Sequence, residues 1–191
     1  MAPVDLANCV TLSRYFLVLI FAATCASRMV PFRIVALTAL IAAFTTDLVD
    51  GQLARRREVP RPPLEGTVFD TTADSFTFVL VFGSLVHVNA AVPSVFVAVL
   101  LGRALLDLMR VFSLVRCLPF PTPTRLTKLK GVSYSFLAPV LYSGNVGGIL
   151  TPLTNSALRA AIQIALVAVT LVAVIHFFGR HRKYVALLLV N

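Results

Sequence analysis

Six apolar segments alternate with short polar stretches along the chain, and each is long enough to cross a membrane as a helix. A helix needs roughly 20 mostly apolar residues to span the hydrocarbon core of a bilayer. The segments run from Val10 to Ala26, Phe32 to Asp50, Phe69 to Val88, Val92 to Val115, Val132 to Leu150 and Ala157 to Phe178. The pattern predicts an all-α polytopic membrane protein with six transmembrane helices, built as a single domain over residues 1–191.

The composition excludes an ordinary soluble domain. Hydrophobic residues make up 58% of the chain and charged residues only 13%, and the mean hydropathy is +0.90. The three cysteines are odd in number and show no paired spacing, so they are expected to be small apolar fillers.

The positive charges predict the orientation. Lysine and arginine concentrate in cytoplasmic loops of membrane proteins. On one side of the predicted bundle lie Arg55, Arg56, Arg57, Arg61, Arg116, Arg125, Lys128, Lys130, Arg180, Arg182 and Lys183, whereas the other side carries only Arg28, Arg33 and Arg159. Both termini are therefore expected in the cytoplasm. The net charge of +9 is explained by this topology and by attraction to anionic membrane lipids, so it requires no nucleic-acid partner.

Two pairs of carboxylates stand at the ends of the second and third apolar segments. Asp47 and Asp50 lie on neighbouring positions of one helix face, and Asp70 and Asp74 share a face of the next helix. In an antiparallel pair of helices the four groups can converge on one pocket, where cations must balance their charge. Ligation by oxygen alone favours Mg²⁺, Mn²⁺ or Ca²⁺ over zinc.

Small residues flank these carboxylates. Gly51, Ala54 and Gly66 leave the helix walls bare, so a bulky ligand can approach the backbone. Arg55 adds a forked donor that suits phosphate oxygens. This arrangement indicates metal-assisted phosphate chemistry. We expect it at the cytoplasmic face of a multi-pass protein of the cell or inner membrane.

The pattern Asp-x-x-Asp-Gly-x-x-Ala-Arg from Asp47 to Arg55, a spacer, and Gly-x-x-x-Asp-x-x-x-Asp from Gly66 to Asp74 resembles the signature of the CDP-alcohol phosphatidyltransferases. These are integral membrane enzymes of phospholipid synthesis. The spacer, from Arg56 through Glu65, is slightly longer than usual.

This resemblance implies a mechanism and its cofactors. CDP-diacylglycerol would bind with its diphosphate on two divalent cations, Mg²⁺ or Mn²⁺, held by Asp47, Asp50, Asp70 and Asp74. Asp74 would also act as the general base on the attacking hydroxyl, and CMP would leave. Gly51, Ala54, Arg55 and Gly66 would contact the CDP group, and a homodimer is expected because relatives commonly pair.

The first segment opens with Asn8, Thr11 and Arg14, which resembles the Asn-x-x-Thr-x-x-Arg opening of many family members. Their spacing keeps them near one helix face, within reach of the nucleotide or its diphosphate. Alternatively, Asn8 caps the helix and Arg14 extends to the lipid head groups.

Cationic residues later in the chain predict an anionic acceptor. Arg103 and Arg110 on the fourth segment, and Lys128 and Lys130 before the fifth, resemble positions of the phosphatidylglycerophosphate synthases. Glycerol 3-phosphate is the first choice, ahead of inositol phosphate and of phosphatidylglycerol in a cardiolipin synthase-like reaction. Ser75, Ala104, Thr127 and Gly131 depart from the synthase pattern.

Bland alternatives exist for these cations. Arg103 could serve only as the partner of Asp107 in a buried ion pair, and the two lysines could belong to a basic loop lying on anionic lipid.

Two other classes of protein also fit parts of the pattern. A six-helix cation transporter would use the carboxylates as a transport site, and a non-catalytic subunit would keep only the fold.

Overall fold

The structure, a computed structural model, describes residues 6–55, 63–115, 125–144, 146, 156–180 and 182. These residues form six helices and no strand. The helices are α1 (Leu6–Thr24), α2 (Val30–Arg55), α3 (Pro63–His87), α4 (Pro93–Val115), α5 (Arg125–Ser143) and α6 (Ser156–Arg180). The prediction of an all-α chain with six helices is confirmed for this part of the protein.

The helices extend beyond the apolar segments at the polar end of the bundle. α2 continues to Arg55, α3 begins at Pro63, and α5 begins at Arg125. The loop predicted between the second and third helices is therefore helical from Pro63 onward, and the basic segment before the fifth span forms the first two turns of α5. Proline is accepted at the first position of a helix because its missing N–H would have no partner there.

Local sequence signals define several helix ends. α3 ends in a Schellman turn in which the amide of Ala90 donates to the carbonyl of Leu85 at 2.8 Å and the amide of Asn89 to that of Val86 at 3.0 Å. Asn89 has a φ of 57°, a conformation that asparagine tolerates better than most residues. α5 begins at Arg125 and ends at Ser143, before Gly144, so the fifth helix lies about seven residues closer to the N-terminus than the predicted segment from Val132 to Leu150.

Packing joins all six helices around a common core. α1 packs on α2 and α3, α3 also contacts α4 and α5, and α6 closes the bundle against α4 and α5. Aromatic and branched side chains fill the centre, among them Phe21, Leu40, Phe82 and Tyr142. Gly102 lets α4 approach α6 closely, since a Cβ at this position would lie 2.5 Å from the side chain of Thr170.

Large apolar side chains also cover the outside of the bundle. Phe16, Phe136, Ile164 and Ile175 each expose more than half of their surface. Among the described helices, α6 is long and apolar enough by itself to cross a membrane, and shorter apolar runs occupy Cys9–Thr24, Val30–Thr46 and Thr72–His87.

Candidate active site

The signature residues occupy the polar ends of two consecutive helices. Asp47, Asp50, Gly51, Ala54 and Arg55 lie in the C-terminal part of α2, and Gly66, Asp70 and Asp74 lie in the N-terminal half of α3. The side chains of this set other than that of Asp74 lie outside the described residues. Their convergence on one pocket therefore stays a prediction, while the surroundings of Asp74 can be stated.

Asp74 bridges two arginines from different helices. Its Oδ1 accepts a hydrogen bond from Nη1 of Arg14 on α1 at 2.8 Å, and its Oδ2 lies 3.4 Å from Nη2 of Arg103 on α4. The carboxylate side chain is 41% exposed, whereas the side chains of Arg14 and Arg103 are 3% and 14% exposed. Asp74 thus stands at the open edge of the site with both guanidinium groups behind it.

Arg103 also pairs within its own helix. Its Nε donates to Oδ2 of Asp107 at 3.3 Å, and the same carboxylate oxygen accepts a hydrogen bond from the hydroxyl of Ser75 at 3.4 Å. The guanidinium lies 5.4 Å from the centre of the Phe78 ring, an arrangement that favours a cation. The ion pair anticipated between Arg103 and Asp107 is confirmed, and the cross-helix contact with Asp74 was missed.

Two of the three candidate residues of α1 are buried in the bundle. Arg14 faces Asp74 and is buried, so it does not extend to the lipid head groups. Thr11 is also buried, at 3% exposure. Asn8 is the third residue of α1, and this position inside the helix excludes the alternative role of helix cap; its side chain lies outside the described residues.

A cavity lies beside Asp74, between five helices. Its wall includes Arg14 from α1, Ala43 from α2, Thr77 from α3, Arg103 from α4 and Tyr134 from α5. We call it the central cavity. Phe44, Phe78 and Phe82 also line it, so the charged groups share the cavity wall with three aromatic rings.

Lys130 adds a third cation near the central cavity. It is 8% exposed, and its Nζ lies 5.7 Å from the ring centre of Tyr134. A basic loop on the membrane surface would leave this lysine exposed, so that alternative is wrong for Lys130. The side chains of Lys128 and Arg110 lie outside the described residues, and their predicted contacts with the acceptor stay predictions.

A buried hydrogen bond between α5 and α6 positions Tyr134 in the cavity wall. The hydroxyls of Tyr134 and Thr170 lie 2.5 Å apart, and Thr170 also donates to the carbonyl of Leu166 at 2.6 Å. Sequence reasoning found neither Tyr134 nor Thr77. An isolated tyrosine or threonine in an apolar segment gives no periodic or charge signal that distinguishes a cavity residue from a core residue.

The donor set fits a hard divalent cation in its chemistry. Among the side chains that the structure describes, no three His, Cys, Asp or Glu come together, but Asp47, Asp50 and Asp70 are outside that group. The positions of these residues along α2 and α3 are consistent with the prediction that their carboxylates converge on one pocket. Ala43 lines the cavity and position 47 follows one helical turn later, while position 70 precedes the cavity residue Asp74 by one turn.

The described residues thus form a bundle of six helices in which paired Asp and Arg side chains lie beside a partly open cavity with aromatic walls, an arrangement suited to binding charged groups. The family model for CDP-alcohol phosphatidyltransferases matches residues 4–175. The chain belongs to this membrane-associated family of phosphotransferases, which use divalent metals to transfer a phosphatidyl-type group from a CDP-alcohol to an acceptor alcohol. No curated protein matches the chain.

Proposed function

We propose that the protein transfers the phosphatidyl group of CDP-diacylglycerol to the hydroxyl of a small phosphorylated alcohol, with glycerol 3-phosphate as the preferred acceptor, and releases CMP. The observation that carries this proposal is the position of Asp74. Asp74 is partly exposed, and it pairs with the buried Arg14 and the largely buried Arg103 in the wall of the central cavity.

The acceptor class is argued from charge. Arg14, Arg103 and Lys130 bring three cations to the region of the central cavity, and Asp74 and Asp107 bring two carboxylates. The described groups therefore carry an excess of positive charge, which favours an anionic acceptor. A neutral amino alcohol would gain little from it, whereas arginine binds phosphate oxygens in a forked geometry.

The ion pairs of Asp74 suggest how the base is released. An arriving phosphate group competes for the guanidiniums of Arg14 and Arg103, and each hydrogen bond that they transfer to phosphate loosens their hold on Asp74. The freed carboxylate then accepts the proton of the acceptor hydroxyl as that oxygen attacks the phosphorus of the donor. The bond between this phosphorus and the oxygen of CMP breaks, and CMP leaves.

Two divalent cations, Mg²⁺ or Mn²⁺, are part of this proposal. Asp47, Asp50, Asp70 and Asp74 would hold them, and bound metal would stabilise charge on the transferred phosphate and on CMP. Gly51, Ala54, Arg55 and Gly66, together with Asn8 and Thr11, are proposed to receive the CDP group.

The proposed topology has six membrane crossings with the site and both termini on the cytoplasmic side. The large exposed apolar side chains support it, as do the four arginines at the end of α2 and in the sequence that follows it, Arg55, Arg56, Arg57 and Arg61. A homodimer is proposed on the family resemblance, and cross-linking in native membranes would test it.

One assay tests the reaction. Purified protein in lipid nanodiscs receives CDP-diacylglycerol, Mn²⁺ or Mg²⁺ and one acceptor at a time: glycerol 3-phosphate, inositol phosphate or phosphatidylglycerol. We expect CMP release with glycerol 3-phosphate, loss of release in Asp74→Asn, and retained release in Glu58→Gln, a matched change outside the signature.

The same assay separates the alternatives. Release with phosphatidylglycerol alone would reassign the protein to cardiolipin-type synthesis. Release that is unchanged in Asp74→Asn would overturn the role of that carboxylate. Metal-dependent ion flux into vesicles without any CMP would indicate the cation transporter.

A further inference from the structure

Thr77 departs from the pattern that other hydroxyl groups follow in these helices. Serine and threonine in apolar helices commonly donate to a backbone carbonyl three or four residues earlier. Such bonds are made by Ser13, Thr24, Thr38, Thr45, Thr46, Ser133, Ser135, Ser143 and Thr170. The Oγ1 of Thr77 is fully buried and makes no hydrogen bond with any atom of the described residues.

A buried hydroxyl without a partner is unfavourable because it loses the hydrogen bonds that it makes in water. Thr77 is 6% exposed and lines the central cavity. Two other hydroxyl-bearing residues of the described wall already bond protein atoms, since Tyr134 contacts Thr170 and Ser135 donates to the carbonyl of Gly131. Thr77 thus belongs to the cavity wall and its hydroxyl is not engaged by the described protein atoms, so a ligand group in the cavity can become its partner.

The position of Thr77 relative to Asp74 limits what that ligand group can be. Thr77 follows Asp74 by three residues on the same face of α3, about 4.5 Å further along the helix axis. Residues one helical turn apart on the same face can be reached by neighbouring groups of one small molecule. Asp74 stands at the exposed edge and Thr77 lies deeper, so a molecule that reaches both enters the cavity.

Charge separates the roles of the cavity groups. Arg14 and Arg103 flank Asp74 and suit the phosphate of an acceptor. Thr77 is neutral, can both donate and accept, and has Phe78 and Phe82 as neighbours in the wall. A neutral hydroxyl group is the partner that matches it.

We propose that Thr77 is an acceptor-specificity residue, whose side-chain hydroxyl pairs with a second hydroxyl on the carbon next to the attacking one, so that the enzyme selects a polyol phosphate. The inference rests on the proposed transferase function. It adds to that function a named residue and the chemical feature of the acceptor that the residue reads.

The test compares two acceptors that differ by that hydroxyl. Glycerol 3-phosphate carries it, and 3-hydroxypropyl phosphate keeps the attacking hydroxyl and the phosphate but lacks it. CMP release is measured for the unmodified protein, Thr77→Val, Thr77→Ser and Thr38→Val. Valine keeps the shape of threonine without the hydroxyl, and Thr38, an exposed residue whose hydroxyl bonds its own helix, supplies the matched control.

We expect the unmodified protein to prefer glycerol 3-phosphate by about tenfold in kcat/KM, as one hydrogen bond between neutral groups allows. In Thr77→Val the two acceptors should have about equal kcat/KM, mainly because the KM for glycerol 3-phosphate rises. Thr77→Ser and Thr38→Val should keep it.

The other outcomes overturn the proposal in distinguishable ways. If Thr77→Val lowers kcat/KM equally for both acceptors, the hydroxyl has a structural role or holds only a water molecule. If the unmodified protein uses both acceptors equally well, the second hydroxyl is not recognised. If it releases CMP with neither, the proposed transferase function itself fails for this acceptor class.

Discussion

The guanidinium of Arg14 lies 2.8 Å from the carboxylate of Asp74, although 60 residues separate them in the chain. Arg14 is almost fully buried and Asp74 is partly exposed, so the two partners depend on the contact unequally. A buried guanidinium gains more from a charged partner than an exposed one does, whereas the partly exposed carboxylate can exchange this partner for solvent or a ligand. The contact therefore ties α1 to the proposed base without fixing that base permanently.

A double-mutant cycle tests this pairing. Arg14→Gln and Asp74→Asn each remove one charge, and we expect their effects on the free energy of unfolding to be non-additive by roughly 1–3 kcal/mol, because they share one interaction. Unfolding of the purified protein in detergent measures the effect. Arg28→Gln, at an exposed position, is the control and should change stability little. Strictly additive effects would show that the contact does not couple the two helices.

The contact between α4 and α6 gives a second prediction. Gly102→Ala places a methyl group 2.5 Å from Thr170, and the short, buried side chain of Thr170 cannot move without disturbing its bond to Tyr134. Overpacking of this kind destabilises by about 1–3 kcal/mol. Thermal unfolding in nanodiscs should show a lower midpoint.

Gly83→Ala is the matched control for that prediction. A Cβ at Gly83 meets no atom within 4 Å among the described residues, and alanine stabilises a helix relative to glycine by roughly 0.5–1 kcal/mol. The midpoint should therefore stay the same or rise. Equal losses in both variants would mean that helix flexibility, rather than the contact with Thr170, determines the effect.

Hydrophobic periodicity predicted the number of helices but not their full lengths. Apolar segments mark the part of a helix that avoids water, and α2, α3 and α5 continue into charged sequence where no hydropathy signal is present. The backbone of Arg125–Ser143 shows this clearly, because its first residues are basic and were expected in a loop. Such a helix continues beyond its last apolar residue because helix propensity and tertiary packing stabilise the additional turns.

The site was predictable only where its residues share one short stretch of chain. The carboxylates of α2 and α3 form a dense local motif, and this motif led to the family that the chain belongs to. The partners of Asp74 come from α1 and α4; the family resemblance predicted Arg14 near the diphosphate, but not its pairing with a carboxylate 60 positions away. Such contacts depend on how the helices pack, and the pattern of residues in a single sequence does not reveal that packing.

Removal of divalent metal should abolish the reaction. Treatment with EDTA is expected to stop CMP release, and added Mn²⁺ or Mg²⁺ should restore it. Mn²⁺ binding, followed by electron paramagnetic resonance, should weaken at least about tenfold in Asp47→Asn, Asp50→Asn and Asp70→Asn, since each removes a proposed ligand.

Asp107→Asn is the control for metal binding, because this carboxylate pairs with Arg103 and Ser75 and is not among the proposed ligands. It should retain the Mn²⁺ affinity of the unmodified protein. Unchanged affinity in all three signature variants would contradict the proposed metal site, even if their CMP release were lost.

Labelling of single cysteines tests the orientation. In a background with Cys9, Cys25 and Cys117 replaced, Ser94→Cys places a thiol at the exposed start of α4 and Arg61→Cys places one between α2 and α3. The positive-inside rule predicts that a membrane-impermeant maleimide added to intact cells labels position 94 but not position 61. Disruption of the membrane should then expose position 61 to the reagent. The reverse pattern would place the Asp74 end of the bundle outside the cell, where CDP-linked donors and CMP are not exchanged with cytoplasmic nucleotides, and the proposed reaction would lose its supply of substrate.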